Sequence, residues 1–380
     1  MIARLGAFAG VIALGAASAP AADPATLGSL SSVAAMPSGA LAVGGTREPL
    51  CKHALAEGGG AGAWTAMHPP TPPGCSSLDA VAADGRGGAW AVGEYIGSNG
   101  LAHTLIERFD GRAWTIVASP SPGKLAALGG VTVLPNGTAV AVGAYQEATS
   151  GITIGATKTL IVQNAGSGWR IVPSPSPGNN SALNAVTGGA NGRLWAVGRY
   201  SDPSTIQHKT LVLAYDPASG WQIVPSPSPP TNTIAGTDLV AVAAGSSAIW
   251  AVGHYVDMSN NPRTLTLRSD GRTWSIVPTP ATATATATAL EGVAIAPDGT
   301  AWAAGSYTDA ACQHTLTLRF ANDAWQAVAS PSPTCTPTRG SSLHGLAVDA
   351  HGTLYAVGDT NNISTLVLVN RGSGWQPERS

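Results

Sequence analysis

The sequence predicts an all-β fold in which seven copies of one four-stranded unit close into a ring. Two motifs support this prediction, because each occurs once in every copy. The first is WAVG or a close variant, and its copies end at Gly44, Gly93, Gly143, Gly198, Gly253, Gly305 and Gly358. The second is a later tryptophan, at Trp64, Trp114, Trp169, Trp221, Trp274, Trp325 and Trp375. A repeat of about fifty residues is typical of rings of small sheets. The 47 glycines and 28 prolines suit short strands joined by turns.

Each copy divides into four predicted strands, which we label a to d in chain order. Strand a is an L-x-x-V run such as LDAVAA, strand b is AWAVG, strand c is TLIERF or TLTLRF, and strand d is WTIV or WQIV. Val, Ile, Leu, Thr and Trp suit strands, whereas Gly, Asp, Asn and Pro separate them. No copy contains an amphipathic segment of helical length. A four-stranded sheet cannot bury both of its faces alone, so neighbouring sheets must stack.

We therefore predict a seven-bladed β-propeller with four antiparallel strands in each blade, over residues 23–380. The blades are expected at approximately residues 27–72, 73–122, 123–177, 178–229, 230–280, 281–333 and 334–380. The repeats begin with a strand a and end with a strand d, so no strand is exchanged between the first and last blades. Closure then depends on packing between blades 1 and 7, or on pairing of residues 23–28 with the last strand, WQPERS.

The repeat resembles the kelch-type β-propeller over roughly residues 27–380. The matching features are a strand b that ends in glycine (AWAVGEY), a strand c after a long loop (HTLIERFDG) and a strand d that opens with tryptophan (AWTIVASP). The second glycine of the kelch motif is mostly replaced, for example by Glu94, Arg199 and Asp359. The chain is also similar to secreted bacterial proteins with tandem WAVG and SPSP repeats. These resemblances imply an architecture and no particular activity.

The N-terminal segment, MIARLGAFAGVIALGAASAPAAD, predicts a secretory signal peptide over residues 1–22. One arginine precedes a short apolar run, and small residues follow. The alternative is an anchor that the mature protein retains, but the run is short and rich in glycine for a spanning helix. We therefore expect a secreted, periplasmic or cell-surface protein with no membrane span in the mature chain.

The overall composition excludes some classes of partner. Charged residues make up 11% of the chain and the net charge is −2, so the sequence carries no electrostatic signature of nucleic-acid binding. The hydrophobic content of 44% argues against disorder. The chain contains no GxSxG, HExxH or phosphate-binding loop, so we expect no cofactor and no bound metal. We also expect the protein to be a monomer.

The variation in loop length indicates which face of the disc is functional. The b–c connection varies from 7 residues (Gly358 to Thr365) to 16 residues (Gly143 to Thr159), whereas the a–b and c–d turns are short in every copy. The b–c and d–a connections lie at the same end of an antiparallel blade. Because binding residues are concentrated on variable loops, this b–c/d–a face is predicted to bind a ligand. Harmless drift in loop length is the alternative explanation.

The four cysteines test this geometry. Cys51 and Cys312 lie in b–c loops, and Cys75 and Cys335 lie in the following d–a connections. We predict the disulfides Cys51–Cys75 and Cys312–Cys335, since each pair shares one blade and one face. The even number of cysteines and the export signal agree with this prediction. A metal site is the alternative, but the cysteine spacing does not support it.

Two sets of equivalent positions on this face are candidate ligand contacts. A basic ring at the start of strand c consists of His53, His103, Lys158, Lys209, Arg263 and His314. A tyrosine ring two residues after the strand b glycine consists of Tyr95, Tyr145, Tyr200, Tyr255 and Tyr307. The basic ring could attract an anionic ligand, and the tyrosines could stack on sugars. Alternatively, the basic residues bond neighbouring loops and the tyrosines pack between blades.

A third set follows the leucine of strand a and should stand near the mouth of the central channel. Its members are Ser31, Asp79, Gly129, Asn184, Val240, Glu291 and His344. Asp79, Glu291 and His344 are the candidates for acid–base catalysis. Blades 6 and 7 are adjacent, so Glu291 and His344 are the two that could approach each other.

The PSPSP segments after strand d look like low-complexity linkers. However, Ser119, Ser174, Ser226 and Ser330 all lie five residues after their tryptophan, with Thr279 and Pro69 at that place in weaker copies. A free linker would not keep this offset, so PSPSP is predicted to be a folded part of the blade edge.

The functional hypothesis is a secreted, non-enzymatic module that recognises a glycan or a protein through the b–c/d–a face. One alternative is a polysaccharide hydrolase or lyase acting at the channel mouth. Another is a structural protein of the cell envelope with no small ligand.

Overall fold

The computed structural model describes residues 27–48, 51–60, 62–147, 155–189, 192–282, 284–336, 339–361 and 363–378. These residues form seven four-stranded antiparallel sheets. The predicted signal peptide, residues 1–22, lies outside the described residues. Within the described ranges, no helix is long and apolar enough to cross a membrane.

The strands follow the repeat copy by copy. Blades 1 to 4 consist of β1 (Gly28–Met36), β2 (Gly39–Thr46), β3 (Ala54–Gly59), β4 (Trp64–Met67); β5 (Ser76–Ala83), β6 (Ala89–Ile96), β7 (Ala102–Phe109), β8 (Trp114–Ile116); β9 (Leu125–Val133), β10 (Ala139–Gln146), β11 (Thr157–Asn164), β12 (Trp169–Ile171); β13 (Ala182–Gly188), β14 (Leu194–Ser201), β15 (His208–Asp216) and β16 (Gly220–Ile223). Blades 5 to 7 consist of β17 (Thr237–Ala244), β18 (Ile249–Val256), β19 (Pro262–Ser269), β20 (Trp274–Ile276); β21 (Ala287–Ile295), β22 (Ala301–Thr308), β23 (Gln313–Ala321), β24 (Ala324–Val328); β25 (Ser341–Val348), β26 (Leu354–Thr360), β27 (Ser364–Asn370) and β28 (Trp375–Glu378).

The seven sheets are arranged as a β-propeller, which confirms the fold class predicted from the repeat. Within each blade the strands pair in chain order, and each first strand contacts the first strand of both neighbouring blades. Strand a is therefore innermost and strand d outermost. The start of every strand a and the end of every strand b therefore lie on one face of the disc.

The apolar core lies between blades rather than inside them. Seven clusters of buried side chains each combine residues of two adjacent blades. The repeated tryptophans explain much of this packing. In five of the seven seams, the aromatic ring in strand b of one blade packs edge to face on the strand d tryptophan of the next, as Trp250 does on Trp325 at 4.9 Å between ring centroids. The two series of tryptophans are thus the two halves of one contact.

The PSPSP segments take the place of a longer strand d, because their serine side chains bond the part of strand c that strand d does not cover. Strand β12 pairs with only the end of β11, and the chain then continues as PSPSP. Ser174 Oγ lies 2.7 Å from the Thr159 hydroxyl, and the Thr159 amide donates to Ser176 Oγ at 2.9 Å. Four blades share this arrangement. Prolines cannot donate hydrogen bonds, so the serine hydroxyls satisfy the uncovered edge of strand c instead.

The ring closes between blades 7 and 1 without strand exchange. Trp64 and Leu30 of blade 1 pack with Tyr355 and Val367 of blade 7. Of the segment 23–28, the structure describes Leu27 and Gly28, and these two residues contact the start of β27 rather than the last strand. The amide of Gly28 donates to the carbonyl of Ile363, just before β27, at 2.7 Å. Among the described residues, blades 7 and 1 are therefore joined by this packing and by the backbone contact of Gly28.

Both predicted disulfides are present. Cys51 is bonded to Cys75 with Cα atoms 5.0 Å apart, and Cys312 to Cys335 with Cα atoms 5.3 Å apart. Each bridge ties a b–c loop to the d–a connection on the same face. The bonds confirm the assignment of those two connections to one face of the disc.

Candidate functional site

A β-bulge in each strand a creates the central site. In β5 the register shifts between Leu78 and Ala80, so Asp79 has no partner on β6. The leucine points into the core and is fully buried, while the extra residue is turned towards the central channel. The same shift occurs in all seven blades. The bulge also explains the glycine of WAVG, since a Cβ at Gly93 would collide with the carbonyl oxygen of Ser77.

The bulge residues line one cavity of about 1170 Å³ at the centre of the ring. All seven predicted channel residues contribute to it: Ser31, Asp79, Gly129, Asn184, Val240, Glu291 and His344. Arg47 and Lys52, from the b–c loop of blade 1, also line it. The cavity therefore opens on the b–c/d–a face. Its wall contains hydroxyl, amide, carboxylate, imidazole and cationic groups, and no Phe, Tyr or Trp is among the described lining residues.

Glu291 and His344 approach each other as the sequence suggested, and a third residue joins them. His344 Nδ1 lies 3.3 Å from Glu291 Oε2, and His344 Nε2 lies 2.8 Å from Asp359 Oδ2. Ser29 Oγ of blade 1 donates to the same Asp359 oxygen at 2.8 Å. This polar chain crosses blades 6, 7 and 1. About a quarter of the His344 side chain remains accessible to the cavity.

The two carboxylates hold this histidine in its charged form. Burial lowers the pKa of His344, but the hydrogen bonds and charges of Asp359 and Glu291 outweigh burial and raise the pKa to about 9. Burial likewise raises the pKa of Glu291, yet the contact with His344 brings the net value below its ordinary range. At neutral pH the pair is therefore an imidazolium and a carboxylate, a fixed dipole rather than a proton acceptor.

Asp79 lies on another part of the cavity wall. Within the described residues, no hydrogen bond or ion pair joins it to Glu291 or His344. Burial, and then repulsion by Glu94, raise the pKa of Asp79 to about 6, although Ser77 and Lys52 partly oppose this. The three candidate catalytic residues thus share one cavity, but only Glu291 and His344 are in contact.

The cavity wall has a second polar cluster, which the sequence analysis did not predict. Asp238, in blade 5, forms an ion pair with Arg199 of blade 4. Asn184 Nδ2 donates to Asp238 Oδ1 at 2.7 Å. Arg199 and Asp359 occupy the same repeat position, directly after the strand b glycine. The departures from the kelch glycine were therefore the available signal, because Asp359 contacts the bulge residue His344 and Arg199 contacts Asp238 in strand a of the next blade.

The tyrosine ring lies beside the basic ring, because the two sets of residues are cross-strand partners. Tyr95 pairs with His103 and Tyr307 pairs with His314, and the rings of the second pair stack at 4.7 Å. All five tyrosines pack against the interblade cores. None of the eleven residues lines the central cavity, so both rings lie at a larger radius on the same face.

Most of the basic ring is engaged locally. His53 lies 3.6 Å from Glu48, Arg263 lies 2.9 Å from Asp257, and His314 lies 3.2 Å from Asp309. His103 contacts Asn99 and Ser121. Lys158 and Lys209 form no hydrogen bond or ion pair within the described residues. These two are the members that remain most available to a ligand.

Comparisons with known proteins establish the fold and no family. No protein-family model matches the chain, and no curated protein matches it. The β-propeller domain of the Trilobed protease from Pyrococcus furiosus, which has an open velcro topology, is similar with a TM-score of 0.53 at 8% identity, over 94% of this chain and 96% of that one. A PL25 ulvan lyase bound to -[GlcA(1-4)Rha3S]- has a TM-score of 0.52 at 10% identity, over 91% and 95% of the two chains.

Proposed function

We propose that this protein is a non-enzymatic binding module that takes a glycan or a protein segment into the central cavity on the b–c/d–a face. The observation that carries the proposal is the cavity itself, because all seven strand a bulges turn one residue into it. A concave site with a few convergent polar groups is the usual form of a ligand site. Its volume suits a short oligosaccharide or one to a few amino-acid side chains.

Binding is favoured over catalysis by the state of the His344 pair. A general base must be free to accept a proton near neutral pH. His344 is held as an imidazolium by Asp359 and Glu291, with a pKa of about 9. A stable pair of opposite charges suits hydrogen bonding to a polar ligand. The basic and tyrosine rings would then act as a peripheral rim, chiefly through Lys158 and Lys209.

The polysaccharide hydrolase or lyase remains a second candidate because of Asp79. Its raised pKa, about 6, is typical of a carboxyl group that exchanges protons near neutral pH. The ulvan lyase among the similar folds acts on a charged polysaccharide, although a likeness at 10% identity supports the fold alone. Release of unsaturated or reducing ends from acidic polysaccharides, abolished by Asp79→Asn, would favour this candidate over the binding module.

The proposed setting is the outside of the cell. Disulfides persist in oxidising compartments, and this chain has two on the proposed ligand face. We place the mature chain, residues 23–380, in the secreted, periplasmic or cell-surface fraction as a monomer. If no ligand is found, the result would instead favour a structural protein of the cell envelope.

The decisive experiment is a glycan array combined with a pull-down on the mature protein, repeated with cavity variants. Glu291→Gln and the double variant His344→Gln, Asp359→Asn remove the charges while keeping hydrogen-bonding groups of similar size. We expect both to weaken ligand binding at least tenfold. Arg112→Ala and Arg272→Ala, on the opposite face in c–d turns, are matched controls that should bind normally. Equal binding by cavity variants and controls would contradict the proposal.

A further inference from the structure

Three large apolar side chains are exposed close together on the b–c/d–a face of blades 4 and 5. They are Ile206, Ile234 and Met258, with 59%, 60% and 60% of their surfaces accessible. Ile206 lies in the b–c loop of blade 4, Ile234 in the next d–a connection, and Met258 in the b–c loop of blade 5. We call these three residues the apolar platform.

Hydrogen bonds join the three loops of the platform into one surface. The amide of His208 donates to the Ile234 carbonyl at 3.1 Å, and Gln207 Nε2 donates to the Thr231 carbonyl at 3.0 Å. Asn232 Nδ2 donates to the carbonyl of Met258 at 3.0 Å. The apolar side chains are therefore presented by connected backbones, which keeps them in place for a partner.

Ile206 occupies a backbone conformation that other blades give to glycine or asparagine. The b–c turns of blades 2, 4 and 5 are each closed by a backbone hydrogen bond, donated by Gly97, Asp202 and Asp257 to the carbonyls of Leu101, Gln207 and Asn261. The turn of blade 4 is one residue longer than the other two, and in each turn the residue before the acceptor has a left-handed backbone. At the left-handed position of this turn, blade 2 has Gly100 and blade 5 has Asn260. Blade 4 has Ile206, with φ of 57°.

A β-branched residue is strained in this region, whereas glycine and asparagine tolerate it. Ile206 is also mostly exposed, so burial in its own chain does not offset the strain. Strain that the fold does not require is a recurrent feature of binding sites. The comparison among the three turns therefore indicates that Ile206 is retained for a contact outside the chain.

We infer that the apolar platform docks an extended protein segment that carries aliphatic side chains next to a carboxylate. This inference goes beyond the proposed function, because none of the three platform residues lines the central cavity. The platform has no aromatic ring on which a sugar could stack. Its apolar area is on the order of 300 Å², well below the roughly 800 Å² per partner of a standard interface. A short segment fits this area better than a second copy of the chain does.

The carboxylate preference comes from Lys209, three residues beyond Ile206. It forms no hydrogen bond or ion pair within the described part of the chain. Asp202, whose charge interacts with that of Lys209, already accepts hydrogen bonds from the amide and the hydroxyl of Ser204. A partner carboxylate could therefore pair with Lys209 while its aliphatic neighbours cover the platform.

The test uses a library of random short peptides displayed on phage and selected on the immobilised mature protein. We expect the selected peptides to combine aliphatic residues with Asp or Glu. Ile206→Asn and Met258→Ser should each weaken these peptides at least tenfold. Ile223→Ser removes an isoleucine of blade 4 that is exposed on the outer edge strand, and it should leave binding unchanged.

Ile206→Asn has a second readout that separates docking from packing. Because it installs the residue that blade 5 uses, it should raise Tm while it weakens binding. A lower Tm with unchanged peptide binding would assign Ile206 to packing and overturn the inference. Selected peptides that bind the platform variants like the wild type would also overturn it. If Glu291→Gln weakens binding of those same peptides, they bind in the central cavity. The proposed function then holds although the inference about the platform fails.

Two other outcomes identify a different occupant. Failure of any peptide to enrich, together with loss of array-detected glycan binding in Ile206→Asn, would replace the protein segment with a glycan. Self-association in sedimentation that disappears in Ile206→Asn would replace it with a second copy of the chain. Either result overturns the inference.

Discussion

The seam between blades 5 and 6 and the seam between blades 7 and 1 follow the same plan with different chemistry. In the first, Trp325 packs on Trp250 and its indole N–H donates to Thr266 Oγ1 at 3.0 Å. In the second, Trp64 packs on Tyr355 at 6.4 Å, and its indole N–H donates to Glu378 Oε2 at 2.9 Å.

Both seams have further polar contacts, and the described residues show more of them at the closing seam. Between blades 5 and 6 the amide of Thr264 donates to Thr288 Oγ1 at 2.9 Å. At the closing seam, Thr365 Oγ1 donates to Glu57 Oε1 at 3.2 Å, and Arg371 bonds both Glu378 and the carbonyl of Gly60. Blades 5 and 6 are joined by the chain, so a loss of packing loosens their seam but cannot separate the two blades. Blades 7 and 1 have no covalent link and exchange no strand. The difference indicates that hydrogen bonds between side chains fix the position of two blades that the chain does not connect.

Truncation of the seam tryptophans should produce the largest effects. Trp325→Ala and Trp64→Ala each remove a nearly fully buried indole and should cost about 3–5 kcal/mol of unfolding free energy. Denaturant unfolding measures this loss. Trp64→Ala should in addition speed hydrogen exchange in β1 and β27, because blades 1 and 7 can separate without breaking the chain. Uniform exchange changes in both variants would show that the closing seam is no weaker than the others.

The two disulfides come next in expected size. Their loops span 24 and 23 residues, so the chain-entropy argument gives about 3 kcal/mol for each. The double variants Cys51→Ser, Cys75→Ser and Cys312→Ser, Cys335→Ser should therefore lower stability by similar amounts. Blade 1 borders the closing seam and blade 6 does not. A clearly larger loss for the blade 1 pair, measured by thermal unfolding, would mean that its disulfide also supports ring closure.

The smallest effect concerns two buried carboxyl groups at one repeat position. Glu57 accepts the hydrogen bond from Thr365 across the closing seam. Glu107 is fully buried with neither oxygen hydrogen-bonded in the described structure, and burial raises its pKa to about 8. Other blades have Val162, Leu213, Leu267, Leu318 and Leu368 there. Glu107→Leu should thus stabilise the protein by on the order of 1 kcal/mol at pH 7, whereas Glu57→Leu should destabilise it.

The pH dependence of stability tests whether Glu107 is protonated in the folded protein. The folded pKa lies above the unfolded value of 4.5, so the folded state binds the proton more tightly. The contribution of Glu107 to stability is intact below about pH 4.5 and is lost progressively as the pH rises to about 8. Glu107→Leu should flatten this part of the stability profile. An unchanged slope in the variant would mean that Glu107 is not protonated in the folded protein.

Local pattern and repeat spacing were enough to predict much of this molecule. The WAVG and tryptophan series fixed the number of blades, because each repeat packs only on its neighbours. The constant offset of Ser174 and its equivalents predicted that PSPSP is folded, and matched positions predicted both disulfides. Glu291 and His344 could be placed together because their blades are adjacent. The signal peptide and the ligand remain predictions.

The sequence by itself determined the repeat, the strands, the blades and the face on which the cysteines meet, since these depend on periodicity and short-range geometry. The tertiary structure alone decided what the repeated positions do. A bulge in strand a turns Asp79 and its equivalents into the cavity, and pairing across strands b and c places the tyrosines beside the basic ring. Register shifts and contacts between distant strands leave no periodic signal. For the same reason, only the structure revealed Asp359 beside His344 and the exposed platform around Ile206.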